Sequence, residues 1–398
     1  VRTFACLGPI ALLTVVFAAC GGDDASTNVT GDGGAGTGSD SSATDAATSN
    51  GDGSTHVDGG SESDGSSLHD SAGGNDASSG DAAGCGTCPT GYSCGTANGI
   101  SVCRAASGIP LFSNVYLILM ENTSLSTLSP ALMNGTAPNL EMLATTYATG
   151  SNYHGVSHPS LPNYIALTSG STQGIACDCQ AAPNGSTCNG ATCNALLGAC
   201  SCAQSAASIA DQLEAANLTW MAFGEDMGTP CNTTDSGNYA QRHVPFLYYS
   251  GIQGNSARCD AHVVDFSMFS AASPSAFNFI APNLIDDMHN PDPTNATNIP
   301  DGDMWIGPHV QAITSSAAYA QGGLLVVVWD EDDNSGFPTA DAPIPIFVIS
   351  PYAKHGGYVS ATMANHYSLL ATVEDGLGLT RLGMAAAATP LSDYFPAN

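Results

Sequence analysis

Asn114-Val115-Tyr116-Leu117-Ile118-Leu119-Met120-Glu121-Asn122 is a continuous apolar run that stops on an acid and an amide. Its length suits a strand, and without polar alternation it reads as a strand covered on both faces. A second run, Leu324-Leu325-Val326-Val327-Val328-Trp329, ends in Asp330-Glu331-Asp332-Asp333; a third, Ile344-Pro345-Ile346-Phe347-Val348-Ile349, ends at Ser350-Pro351. Helical patterns separate them at 137–144, 207–216 and 367–377. Buried strands alternating with helices predict an α/β fold, a mostly parallel sheet flanked by helices. Side chains just past the carboxyl ends of such strands share one crevice. Glu121-Asn122 and Asp330-Glu331 are therefore expected to meet in space.

Acids brought together must be neutralised, or their pKa values rise and they protonate. A divalent cation is one solution. Carboxylates with an amide oxygen make a hard site suited to Mg²⁺, Ca²⁺ or Mn²⁺, and to Zn²⁺ if a His joins. Taken alone, residues 330–333 read equally well as a solvated acidic turn and Glu121 as a helix-capping acid.

The segment His158-Pro159-Ser160-Leu161-Pro162-Asn163-Tyr164 holds a hydroxyl between two prolines that fix φ, so Ser160 projects from a defined backbone. A plain Pro-rich turn would have the same composition. Histidines stand at loop or element starts beside Asn or Asp: His154 and His158 near Ser160, His289 after Asp286-Asp287, and His366 after Asn365; His243 lies in Gln241-Arg242-His243-Val244-Pro245.

Residues 1–20 have a short basic start, an apolar run and small residues before Cys20, the pattern of a secretory signal peptide. The ending Phe-Ala-Ala-Cys resembles a bacterial lipobox, which makes Cys20 the lipidation site and implies an exported lipoprotein of the cell envelope, at the outer membrane or cell surface. Residues 21–84 are almost wholly Gly, Ser, Ala, Thr, Asn and Asp, a disordered linker with too little apolar surface to fold. A small Cys-rich segment, 85–108, precedes one large domain, 109–398. The net charge is −29, with about a third of the acids in the linker and only six Lys and Arg. That balance argues against a nucleic-acid partner.

Of the fourteen cysteines, Cys6 leaves with the signal and Cys20 goes to lipid, so an even twelve remain. Cys85, Cys88, Cys94 and Cys103 suggest two disulfides, with zinc the alternative for the C-x-x-C pair. Cys177, Cys179, Cys188, Cys193, Cys200 and Cys202 share a loop, and Cys231 and Cys259 are candidates to pair.

With these pieces in order, the chain resembles the phosphoesterase family of secreted acid phosphatases and phospholipases C, whose wider fold is alkaline-phosphatase-like. The matching segments are Glu121–Ser124, Ser157–Tyr164, Leu218–Trp220 through Gly224–Met227, Pro282–Leu284 through Asp287–His289, Gly302–Trp305, Trp329–Asp332 and Asn365–Leu370. The resemblance implies that Glu121, Asn122, Asp330 and Glu331 bind a metal ion and that Ser160 is the nucleophile taking the phosphoryl group. Asn163, with Asn283 and His158, would hold phosphate. His289 and His366 would orient phosphate or protonate the leaving oxygen, supported by Asp287 and Asp303. Two departures stand out: Val244 replaces the Asn usual after the His of its segment, and Thr123 follows Glu121-Asn122 where a His or aromatic residue is usual.

The expected function is metal-dependent hydrolysis of phosphate esters, acid-phosphatase-like, through a Ser160 phosphoryl-enzyme. A phospholipase C-type phosphodiesterase is the alternative within enzymes. A non-catalytic surface lipoprotein that binds an anion or partner is the alternative outside them.

Overall fold

The computed structural model describes residues 84–181, 203–289, 298–333 and 342–397. The signal peptide with Cys20, the linker up to residue 83, and Cys188, Cys193, Cys200 and Cys202 lie outside the described residues.

Two antiparallel strands, β1 (Tyr92–Ala97) and β2 (Ile100–Ala105), form a hairpin. Disulfides Cys85–Cys94 and Cys88–Cys103 pin it, which disposes of the zinc alternative because both C-x-x-C sulfurs are consumed. The hairpin is docked on the main domain, where Asn98 Nδ2 donates to Ala353 O at 2.6 Å and the Tyr92 hydroxyl donates to Asp375 O.

The main sheet contains β3 (Val115–Met120), β4 (Ala148–Gly150), β6 (Trp220–Gly224), β7 (Val263–Asp265), β8 (Phe277–Ala281), β9 (Leu324–Trp329), β10 (Ile346–Ile349) and β11 (Val359–Ser360). A further pair, β5 (Tyr153–His154) and β12 (Ala364–Asn365), stands apart. The eight strands run in the order β11-β4-β10-β9-β3-β8-β6-β7. Contacts from β9 through β7 are all parallel. Every residue of β3, β8, β9 and β10 is buried, as expected when both faces of a sheet are covered. Each fully buried Val, Leu or Ile contributes about 1.5–3 kcal/mol, so these central strands are the main store of burial energy.

The third apolar run becomes β10, and it is antiparallel to β9, with Ile346 opposite Val328. The chain re-enters beside the end it left, and Trp329 N donates to Pro345 O. A parallel return would have required a crossover along the length of the sheet.

The helices are α1 (Leu125–Asn134), α2 (Pro138–Thr146), α3 (Ser160–Ser169), α4 (Ile209–Ala215), α5 (Ser250–Gln253), α6 (Ser256–His262), α7 (Asn298–Thr314), α8 (Ala317–Ala320) and α9 (His366–Leu377). All ten residues of α3 are buried. The hydroxyls of Thr168 and Ser169 are satisfied within the helix, donating to Tyr164 O and Ile165 O at 2.9 Å. Asn365 caps α9, accepting from Tyr367 N and Ser368 N. The Cys231–Cys259 disulfide ties the loop after β6 to α6, and Cys177 and Cys179 are also disulfide-bonded.

Candidate active site

Strands β3 and β9 are parallel neighbours in register, with Met120 opposite Trp329. Their next residues, Glu121 and Asp330, therefore leave the sheet side by side, both fully buried. Asp330 N donates to Met120 O at 3.0 Å, and Glu121 N donates to Asp287 O at 2.8 Å, which draws the loop after β8 into the same place. This is the strand-end crevice of a parallel sheet. The β5 segment can lie against it only because residue 155 is glycine: a Cβ there would stand 2.9 Å from Asp330 O.

Ser160 opens α3 and points into the crevice. Its Oγ is 3.1 Å from Glu121 Oε2, 3.3 Å from Asn122 Oδ1 and 3.2 Å from Glu331 Oε1. Asn122 Nδ2 donates to Glu331 Oε1 at 3.0 Å. On the far side of Glu121, the Tyr164 hydroxyl donates to Oε1 at 2.6 Å, and His243 Nε2 stands 3.1 Å away. His243 Nδ1 is 3.7 Å from Asp287 Oδ2, and its ring stacks on Tyr164 at 5.5 Å. His158 Nδ1 lies 2.5 Å from Glu331 Oε2. At the rim, the partly exposed His289 places Nε2 3.9 Å from Glu121 Oε2.

Burial and neighbouring charge shift the titratable groups of the crevice strongly. Burial pushes the carboxyls of Glu121 and Glu331 up to about 7, opposed for Glu121 by Arg242 and the Tyr164 hydroxyl and for Glu331 by His158. Burial, then the charges of Glu121 and Glu331, hold Asp330 well above the usual carboxylate range. Asp287 is raised for the same kind of reason, by burial and then by Glu121. The imidazoles of His243 and His289 are pushed down by burial and by Arg242, which favours neutral rings.

The donor set suits a hard cation. Ser160 has one proton to offer three acceptors, so its hydrogen bonding cannot satisfy the cluster. The Oδ2 atoms of Asp330 and Asp287 are buried without a hydrogen-bond partner. Buried acceptors in excess of protons, all of them carboxylate, amide or hydroxyl oxygens, are the complement of Mg²⁺, Ca²⁺ or Mn²⁺. Among the described residues no group of His, Cys, Asp and Glu already stands at ligand spacing.

Other residues named from the sequence sit further from Ser160. His366 is fully buried behind Asp330, with Nε2 on Asp330 O at 2.6 Å and Nδ1 on the Tyr153 hydroxyl at 3.0 Å. Asn163 spends its amide on the loop leading to Ser160: Oδ1 accepts from Val156 N and Ser157 N, and Nδ2 donates to Ser157 O. Asn283 shapes the turn after β8, accepting from Ile285 N and donating to Asp226. Asp303, on α7, caps α2 by accepting from Asn139 N and Leu140 N at 3.2 and 2.8 Å. Helix α2 has no side-chain cap of its own.

Tyr164 and Arg242 carry no role in the sequence reading. Tyr164 could have been found, since it lies four residues after Ser160 on a helix and hence on the same face. Arg242 had only its scarcity to signal it.

A sequence profile of the phosphoesterase family matches residues 121–380. The chain is 30% identical over 296 residues to a phosphatidylinositol-3-phosphatase of Mycobacterium tuberculosis, covering 73% of this chain and 85% of that one. It is 25% identical over 285 residues to a phosphate-repressible acid phosphatase of Penicillium chrysogenum, covering 68% of this chain and 60% of the fungal protein. A solved structure of a protein in the alkaline phosphatase superfamily from Vibrio parahaemolyticus matches with a TM-score of 0.48 at 13% identity, over 79% of this chain and 76% of that one. The chain is a phosphoric ester hydrolase and belongs to the phosphoesterase family.

Proposed function

We propose that the chain is a metal-dependent phosphomonoesterase of acid-phosphatase type that works through a phosphoryl group carried on Ser160. The observation that carries this reading is the position of the Ser160 hydroxyl among Glu121, Asn122 and Glu331. A divalent cation held by Glu121, Asn122, Asp330 and Glu331 would supply charge neutralisation and favour the alkoxide. Ser160 Oγ attacks phosphorus, its proton passes to the adjoining carboxylates, and the ester oxygen leaves as the alcohol. The dianionic substrate favours the protonated ring over the neutral one of the free site, and His289, at the rim with an accessible ring, then protonates that leaving oxygen. Water then attacks the phosphoserine, inorganic phosphate departs and the Ser160 hydroxyl is restored.

The remaining residues hold this constellation in place. Tyr164 and His243 orient Glu121, and His158 orients Glu331. His366 fixes the backbone of Asp330, and Asn163 fixes the turn before Ser160. Phosphoryl transfer needs positioning and charge balance above all.

The names of the mycobacterial and fungal relatives, both phosphatases, support monoester cleavage. The test compares turnover of p-nitrophenyl phosphate with that of its phosphorylcholine ester. A higher kcat/KM for the choline diester would replace this reading with the phospholipase C type. Location belongs to the same proposal: an exported envelope lipoprotein anchored through Cys20, in keeping with disulfides at Cys85–Cys94, Cys88–Cys103 and Cys231–Cys259.

A further inference from the structure

An acidic protein that takes a dianionic substrate needs positive charge at its site, and this chain has very little to spend. Of its six Lys and Arg, Arg2 lies outside the described residues. Four of the others are committed elsewhere. Arg104 is buried and donates to Gly108 O and Thr96 O. Arg258 pairs with Asp211 and Glu214, Lys354 with Asp393, and Arg381 with Asp375.

Arg242 differs from all of these. Among the described residues its half-buried side chain makes no hydrogen bond and no ion pair, and its charge faces the acids of the site, Glu121 first and then Asp178 and Asp235. It sits on the short 3-10 turn Gln241–His243, next to the His243 ring that stands 3.1 Å from Glu121. That turn is anchored: Gln241 N donates to Asp235 Oδ1 at 2.8 Å, and Ala181 N donates to Gln241 Oε1 at 2.7 Å. The backbone of Arg242 is thus fixed beside the crevice while its five N–H donors are unspent among the described residues.

We infer that Arg242 is the substrate-binding residue that clamps the non-bridging oxygens of a phosphomonoester dianion over Ser160. This deepens the hydrolase reading above and rests on it. A guanidinium offers two parallel N–H donors, matched to two phosphate oxygens. A phosphodiester still offers two non-bridging oxygens to that fork but carries one negative charge where the monoester carries two, so the guanidinium charge favours monoesters. The charge of Arg242 is already felt across the site, since it helps keep both His243 and His289 neutral.

The test measures binding of inorganic phosphate by calorimetry, in the presence of Mg²⁺, to the wild type, Arg242→Met, Arg242→Lys and, as a control, Lys354→Met. Loss of a charge-assisted fork is expected to weaken phosphate binding in Arg242→Met by about tenfold to hundredfold. Arg242→Lys should recover part of it, because charge returns without the fork. Lys354→Met should bind as the wild type does. In turnover, the kcat/KM lost by Arg242→Met should be larger for p-nitrophenyl phosphate than for a diester. A folded Arg242→Met that loses less than fivefold in phosphate affinity would overturn the inference, and equal losses on both substrates would overturn the monoester preference. A wild type that neither binds phosphate nor hydrolyses any ester would overturn the parent reading as well, which separates the two failures.

Discussion

The hydroxyl of Ser160 stands 3.1 Å from Oε2 of Glu121, a side chain from the first turn of a helix facing a carboxylate from the end of a strand. Glu121→Gln keeps the shape of that contact and removes its charge. The expected result is a loss in kcat of about 10²-fold or more, with the melting temperature unchanged or raised in metal-free buffer, because a buried charge has been removed. Steady-state kinetics beside a thermal melt checks both halves. Retained activity would count against Glu121 as part of the reaction centre.

Chelation should act on activity and stability together. Four buried carboxyls share one crevice, at Glu121, Asp287, Asp330 and Glu331. A cation that binds them only in the folded state stabilises the fold by mass action, about 2.7 kcal/mol at a hundred times its Kd. EDTA should therefore abolish hydrolysis and lower the melting temperature, and adding back Mg²⁺, Ca²⁺, Mn²⁺ or Zn²⁺ should reverse both. Elemental analysis of the active protein names the ion. Full turnover by metal-free protein would contradict the assignment.

Much of the fold is legible because its central strands are buried on both faces: the short length and uniform apolarity of 115–120 and 324–329 read as strands. Their acidic ends followed from topology, and the structure does bring Glu121, Asn122, Asp330 and Glu331 around Ser160. Less visible were contacts that depend on long-range packing. Asn163 and His366 carry catalytic residue types, yet their polar atoms are spent on Val156, Ser157, Tyr153 and the Asp330 backbone. Only the folded chain shows where an amide or an imidazole is already satisfied. The direction of β10 was hidden for a similar reason, since an apolar run does not record which way it pairs.

Asp303 illustrates the difference between a matched motif and a reacting group. It lies at the N-terminus of α2, where Leu140 N donates to it at 2.8 Å. Asp303→Ala should destabilise the protein by about 1–2 kcal/mol, the usual cost of losing a helix cap, while kcat at a temperature well below the melt stays within about threefold of the wild type. Urea unfolding and initial rates measure the two effects separately.

Glu374, fully buried on α9, gives the fold a pH dependence of its own. Burial pushes its carboxyl from 4.5 up to about 8, against the lowering influence of the Leu382 N–H, Gln212 and Arg381. The folded state therefore holds this proton where the unfolded chain has released it, and stability from this group falls as pH rises. Its contribution is complete below about pH 4.5 and is lost through about pH 8. Glu374→Gln should match the wild type in urea midpoint at pH 5 and exceed it at pH 9. Parallel midpoints across that range would contradict the assignment.

The central claim is that Ser160 itself carries the phosphoryl group during turnover. Wild-type protein quenched in acid during hydrolysis of a ³²P-labelled monoester should yield one labelled peptide, containing Ser160 as phosphoserine, and Ser160→Ala should yield none while remaining folded and losing about 10²-fold or more in rate. Label on another residue, or undiminished hydrolysis by Ser160→Ala, would contradict the account.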